Sequence, residues 1–190
     1  MKELSLHILD IAENSVSAGA TKIEIIVKED LNNDLLEISI KDNGMGMDAE
    51  FLKRITDPFV TSRTTRKVGL GIPFLKAAAE ACGGRFTIES LPGSGTFISA
   101  SFQHSHLDRM PLGDLKGTIL NLIVGYPDIQ WIFRYENDGT IYYLDTKPMK
   151  EILGDVPFSD PAVIRYLNKY LENGLYRKNG HLKIKYEEKS

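Results

Sequence analysis

Apolar residues along the first hundred positions recur with two periods, and the switching between them outlines an α/β chain. Over residues 4–18, Leu6, Leu9, Ala12 and Val16 return at threes and fours, predicting an amphipathic helix that Gly19 closes. Over 22–29 the period drops to two, with Ile23, Ile25 and Val27 on one face. Leu36, Ile38 and Ile40 repeat that pattern after the polar turn Leu31-Asn32-Asn33-Asp34, so two strands are predicted here. Asp48 stands as an N-cap for a short helix through Phe51, Leu52 and Ile55. A longer helix is expected over 74–82, with Pro73 at its first position and Gly83-Gly84 after it. Alternating runs at 85–90 and 96–102 flank Leu91-Pro92-Gly93-Ser94-Gly95, a hairpin.

Beyond Gln103-His104-Ser105-His106 the texture changes. A helix over 115–124 is capped by Asp114, a strand follows at 129–135, and Asn137-Asp138-Gly139 turns it back along 140–144. Helices are expected at 148–153 and 161–171, the second stopped by Gly174, before a basic tail containing Asn179-Gly180. None of these residues has catalytic spacing. The expected division is therefore 1–106 as one domain and 107–190 as a small α/β appendage, with residues 103–106 as a linker. A His-x-His pair is also a metal motif, but local spacing supplies no third ligand.

Composition narrows the class. The chain of 190 residues is 42% hydrophobic and 26% charged, an ordinary globular balance, and its net charge of -3 argues against a general nucleic-acid binder. One cysteine, Cys82, excludes a disulfide framework, and its place among alanines reads as an apolar filler. No signal-peptide core or spanning apolar run is seen, so a cytoplasmic protein without membrane association is expected.

Candidate chemistry clusters in three stretches. The second strand ends in Asp42-Asn43-Gly44-Met45-Gly46-Met47, a carboxylate followed by two glycines. Such a motif reads equally as a plain turn or as an amine acceptor beside backbone that a flat ring can approach. On the first helix Asp10 and Asn14 lie four apart on one face, with Glu13 adjacent; a solvated stripe is the plain reading, although Asn is a poor mid-helix residue. Residues 56–68 hold hydroxyls and cations, including Arg63 and Lys67, and no acid follows Asp57 until Glu80. That stretch reads either as an exposed loop or as a lid that meets an anion. Gly69-Leu70-Gly71 leads from it into a helix N-terminus, where free N–H groups favour anions.

In this order, Asn14, Asp42-x-Gly44-x-Gly46, a lid ending in Gly69-x-Gly71, and Gly95-Thr96 before a strand resemble the GHKL family of gyrase, heat-shock chaperone, histidine kinase and mismatch-repair ATPases. The resemblance covers roughly the first hundred residues. Glu13-Asn14-Ser15 and its neighbours are similar to the first motif of the mismatch-repair branch. Asp57-Pro58-Phe59-Val60-Thr61-Ser62-Arg63, Gly69-Leu70-Gly71-Ile72 and Gly93-Ser94-Gly95-Thr96-Phe97 are similar to sensor histidine kinases. The resemblance implies a Bergerat-type two-layer α/β sandwich, a mixed and mostly antiparallel sheet with helices on one face, binding ATP and Mg2+. It also implies roles. Asp42 receives the adenine amine, Thr96 supports it through water, Gly44 and Gly46 admit the base, and Met47 packs near it. Asn14 ligates Mg2+, while Gly69, Leu70, Gly71, Arg63 and Lys67 face the phosphates.

Where hydrolysing relatives carry glutamate four residues before the Asn, this chain has Asp10, one methylene shorter, so weak hydrolysis is expected of it as catalytic base. Sensor kinases also carry a phospho-accepting histidine on an upstream helical hairpin, whereas here the Asn helix begins almost at Met1. His7 is expected to be a packed or surface residue rather than an acceptor. The expected function is therefore ATP-dependent transfer to a protein partner or phosphoacceptor supplied in trans. The alternative is an ATP-gated switch or interaction protein, with a homodimer possible in either case.

Overall fold

A computed structural model describes residues 2–55 and 71–176. The first helix, α1 (Leu4–Ser17), is followed by β1 (Lys22–Asp30) and β2 (Leu35–Asp42), then α2 (Ala49–Ile55). Past the undescribed stretch come α3 (Gly71–Ala81) and the hairpin β3 (Phe86–Leu91) and β4 (Gly95–Gln103). The rest comprises α4 (Leu115–Gly125), β5 (Gln130–Asn137), β6 (Thr140–Asp145), α5 (Thr146–Leu153) and α6 (Pro161–Tyr176). All six strands form one mixed sheet in the order β3-β4-β2-β1-β5-β6. Every neighbouring pair is antiparallel except β1 and β5.

Period-two burial explains the layering. Ile23, Ile25 and Val27 of β1 and Leu36, Ile38 and Ile40 of β2 are buried, and α1, α3, α4 and α6 join them in one core. Residues between them, such as Glu24, Lys28, Glu37 and Ser39, are only partly covered on the opposite face.

On α1 the buried stripe differs from the expected one. Leu4, Ile8, Ile11, Ala12 and Ser15 are buried, whereas Leu6 is 40% exposed. The helix is apolar around much of its circumference and packs against α3 and α4 as well as β2, so spacing alone admitted two stripes. Helix α3 begins at Gly71, which puts Pro73 third rather than first, still within the turn where a missing N–H costs nothing.

Residues 107–176 belong to this same sheet and core. β5 runs parallel to β1, pairing Ile23 with Trp131 and Val27 with Tyr135. The connection at 103–106 is also pinned: Asp34 accepts from Gln103 Nε2 at 2.9 Å and Ser105 Oγ at 2.8 Å. Helix α1 has no side-chain N-cap; instead Leu4 and Ser5 donate to the carbonyls of Pro111 and Leu112, both at 2.9 Å. The C-terminal half thus satisfies the first donors of the N-terminal helix. Gly174, expected as a terminator, lies inside α6, where a Cβ would sit 2.0 Å from the Tyr142 ring. Its missing side chain serves packing.

Candidate functional site

The end of β2 shows why the two readings of Asp42-Asn43-Gly44 were both open, since the structure contains the turn and a held carboxylate. Asp42 is 8% exposed. Its Oδ1 accepts from Gly44 N–H at 2.8 Å, closing the turn, and from Thr96 N–H at 3.2 Å. Its Oδ2 accepts from Ser15 Oγ–H at 2.6 Å. A carboxylate oxygen offers two acceptor positions, so Oδ2 keeps one. Asn43 faces the other way. Its Oδ1 accepts from the N–H groups of Thr21 and Lys22, both at 2.9 Å, clamping the α1–β1 turn to the strand end.

Asp42 lines a cavity of about 610 Å³. Asn14, Gly46, Met47 and Thr96 line it too, between apolar walls contributed by Ile11, Phe51, Ile72 and Ile98. Five of the expected site residues therefore converge on one space. Gly44, Asp10 and Gly71 lie beside it without lining it. Arg63, Lys67, Gly69 and Leu70 fall outside the described residues.

The glycines have packing reasons of their own. Gly46 takes φ +66°, and a Cβ there would meet the Leu91 carbonyl oxygen at 1.9 Å. At Gly44 the same atom would press on the Ala18 carbonyl and Asp42 Oδ1 at 3.0 and 3.1 Å. Gly71 leaves room for Asp10, whose Oδ2 would stand 1.8 Å from an added Cβ. Asp10 therefore packs against the start of α3, where a helix favours negative charge.

Two buried polar atoms near the cleft lack a partner among the described residues: Asp10 Oδ2 and Asn14 Nδ2. Buried groups of this kind are normally hydrogen-bonded, so each is placed to take a further polar partner. Glu13 is exposed and accepts from Tyr126 Oη–H at 3.3 Å, so it is turned to α4 rather than the cavity. His7 is packed, 2% exposed, and burial lowers its pKa. Cys82 is buried, and burial raises its thiol pKa, which fits the filler reading.

Sequence reasoning missed three contributors. Ser15 lies one turn from Ile11 on the cavity side of α1 and holds Asp42. Ser90 pairs with Thr96 across the hairpin and bonds it at 3.0 Å, a neighbour the hairpin register would have revealed. Arg54 lines the cavity from α2, and only the path of that helix places it there.

Among the described residues, no helix is long and apolar enough to cross a membrane, and no cluster of three His, Cys, Asp or Glu side chains could hold a metal. His104 Nε2 instead lies 2.8 Å from Glu29 Oε2, and His106 Nδ1 accepts from Asp108 N–H at 3.2 Å.

The fold and cleft define a two-layer α/β sandwich with a strand-end carboxylate at the floor of a mostly apolar cavity. Residues 2–106 match the family model described as histidine kinase-, DNA gyrase B-, and HSP90-like ATPase, and the chain belongs to that family. The sensor protein kinase FleS of Pseudomonas aeruginosa is 38% identical over 89 residues, 47% of this chain and 22% of that protein. The signal transduction histidine-protein kinase AtoS of Escherichia coli is 35% identical over 96 residues, 50% of this chain and 15% of its own length. The non-motile and phage-resistance protein of Caulobacter vibrioides is 30% identical over 115 residues, 57% of this chain and 14% of its own. The chain thus spans less than a quarter of the length of each of these relatives. Among solved structures, the Aquifex aeolicus MutL ATPase domain complexed with ADP is similar with a TM-score of 0.47 and 14% identity, over 80% of this chain and 67% of that one.

Proposed function

We propose that the cleft binds ATP with Mg2+ and that the chain passes the γ-phosphate to a separate protein, hydrolysing ATP only slowly by itself. The observation that carries this reading is the open acceptor position on Asp42 Oδ2 inside a mostly apolar cavity that Ile11, Phe51, Ile72 and Ile98 also line. A base that enters through an apolar slot and presents an N–H to a fixed carboxylate fits that arrangement. Thr96 would support the amine through water, Gly44 and Gly46 keep the backbone bare beside the base, and Met47 packs against it.

The unpartnered Asn14 Nδ2 suits the phosphate end as a donor to a phosphate oxygen, and Asn14 would ligate Mg2+ through its Oδ1. When bound, that ion supplies positive charge to offset the phosphates. Gly69, Leu70 and Gly71 would offer N–H groups, and Arg63 and Lys67 would add charge. Asp10 is the candidate base, held against Gly71 on a short side chain. Transfer to a protein needs less of such a base than hydrolysis does, because the acceptor side chain is itself the nucleophile. The relatives named as kinases favour transfer over a pure switch. A cytoplasmic setting and self-association belong to the same proposal.

Incubation with γ-labelled ATP, Mg2+ and candidate partner proteins tests it. Label should move to a partner and only slowly to water. Firm ATP binding with no transfer, accompanied by a change in self-association that ADP does not cause, would replace transfer with an ATP-gated switch.

A further inference from the structure

Ser90 lies at the back of the Thr96 wall of the cavity, and three hydrogen-bond contacts share its one hydroxyl. Ser90 Oγ is 2.9 Å from Met47 N, 2.9 Å from the Gly95 carbonyl oxygen and 3.0 Å from Thr96 Oγ1. Met47 N–H can only donate, and the Gly95 carbonyl can only accept. A hydroxyl has one proton and two acceptor positions. For all three contacts to be hydrogen bonds at once, the Ser90 proton must go to Gly95 and one acceptor position to Met47. What remains is a single acceptor position, so in the Ser90–Thr96 bond Thr96 is the donor.

Two consequences meet in the cavity. The Thr96 hydroxyl proton is committed to Ser90, and the Thr96 backbone N–H is committed to Asp42 Oδ1. Thr96 Oγ1 can then only accept from a ligand or water. Asp42 Oδ2 beside it is likewise an acceptor, so this end of the cavity offers acceptors from both residues.

We propose that Ser90 is a positioning residue for base selection: by holding the Thr96 hydroxyl as an acceptor, it makes the cavity favour 6-aminopurines over 6-oxopurines. The inference rests on the ATP reading above. An exocyclic amine brings two N–H donors to two acceptors. A bridging water can satisfy both Thr96 and a ring nitrogen by donating to each. A 6-oxopurine instead presents a carbonyl oxygen, itself an acceptor, to Asp42 Oδ2 and Thr96 Oγ1, neither of which has a proton to give it. Removing the Ser90 hydroxyl frees the Thr96 proton to turn into the cavity and donate, which relieves that mismatch.

The test is parallel calorimetry of Mg2+ with ATP and with ITP on the wild-type chain, Ser90→Ala and Ser90→Thr. Wild type should prefer ATP. Ser90→Ala should narrow the ATP:ITP affinity ratio by roughly tenfold, the scale of one hydrogen bond. Ser90→Thr, which keeps a hydroxyl, should hold the wild-type ratio. Should Ser90→Ala fail to fold, Ser90→Cys, which retains bulk but is a poor acceptor, is read by the same ratio. An unchanged ratio with both nucleotides weakened alike overturns the inference and leaves Ser90 a structural residue. Equal wild-type affinity for the two nucleotides overturns it as well. Failure of the wild type to bind either nucleotide is a different result and overturns the ATP reading itself.

Discussion

Ser15 Oγ donates to Asp42 Oδ2 across 2.6 Å, tying α1 to a strand end 27 positions later in the chain. Both residues are buried, so the bond holds the helix to the sheet and aims the carboxylate. Ser15→Ala should lower stability by about 1–3 kcal/mol, the cost of leaving a buried polar group short of a partner. It should also weaken ATP binding, because the carboxylate loses its orienting donor. Urea unfolding and calorimetry on the same sample check both. An unchanged midpoint with unchanged affinity would show that the bond is dispensable.

Asp10→Asn separates binding from turnover. Asp10 packs against Gly71 and does not line the cavity, so ATP affinity should stay within about twofold while hydrolysis falls by roughly tenfold or more, as expected when a base is removed. Steady-state phosphate release beside a binding isotherm decides it. Turnover equal to the wild type would remove Asp10 from the chemistry.

The single tryptophan, Trp131, is 2% exposed on β5 and reports on the C-terminal half. Its strand pairs with β1, so its fluorescence and far-ultraviolet circular dichroism should change together in urea. Gly174→Ala forces a Cβ into the Tyr142 ring and should move both transitions down equally, by about 1–3 kcal/mol as for an overpacked core. Separate transitions would show that residues 107–176 unfold independently.

His7 makes stability depend on pH. Burial holds its native pKa below 6.5, so the unfolded chain takes up a proton that the native one resists. Because the unfolded state binds more protons, this contribution is complete above about pH 6.5 and is lost as pH falls toward the depressed native value. Asp30 and Asp34, whose carboxyls are lowered by hydrogen bonds from Asn33 and Gln103 respectively, act lower, below their ordinary value of 3.8. His7→Leu should therefore flatten the loss of unfolding free energy that begins as pH falls below about 6.5 and leave the carboxylate loss at lower pH in place. An identical slope in the variant would assign it to another group.

Much of the α/β order could be read from the sequence because period, cap and turn agree locally. Asp48 accepts from Phe51 N–H and Asp114 from Gly117 N–H, as their positions before apolar runs implied. Asn137-Asp138-Gly139 turns with positive φ at Asp138 and Gly139, as that triplet requires. What stayed hidden depends on distant pairing. Nothing local signals that β5 lies parallel to β1, or that Pro111 and Leu112 cap α1. The family motifs marked Asn14, Asp42, Gly46, Met47 and Thr96, which do share a cavity. Ser15 and Ser90 escaped because a serine carries no signal until its partner is placed beside it.

The most direct test of the central claim is a calorimetric titration of Mg2+ and ATP into the wild-type chain and into Asp42→Asn. The substitution keeps shape and replaces an acceptor facing an amine with a group able to present N–H donors. Saturable binding by the wild type, weakened about 10- to 100-fold in the variant, is the predicted result for loss of a hydrogen bond to a charged group. Equal affinity in the two proteins would contradict the assignment of Asp42 as the residue that holds the base.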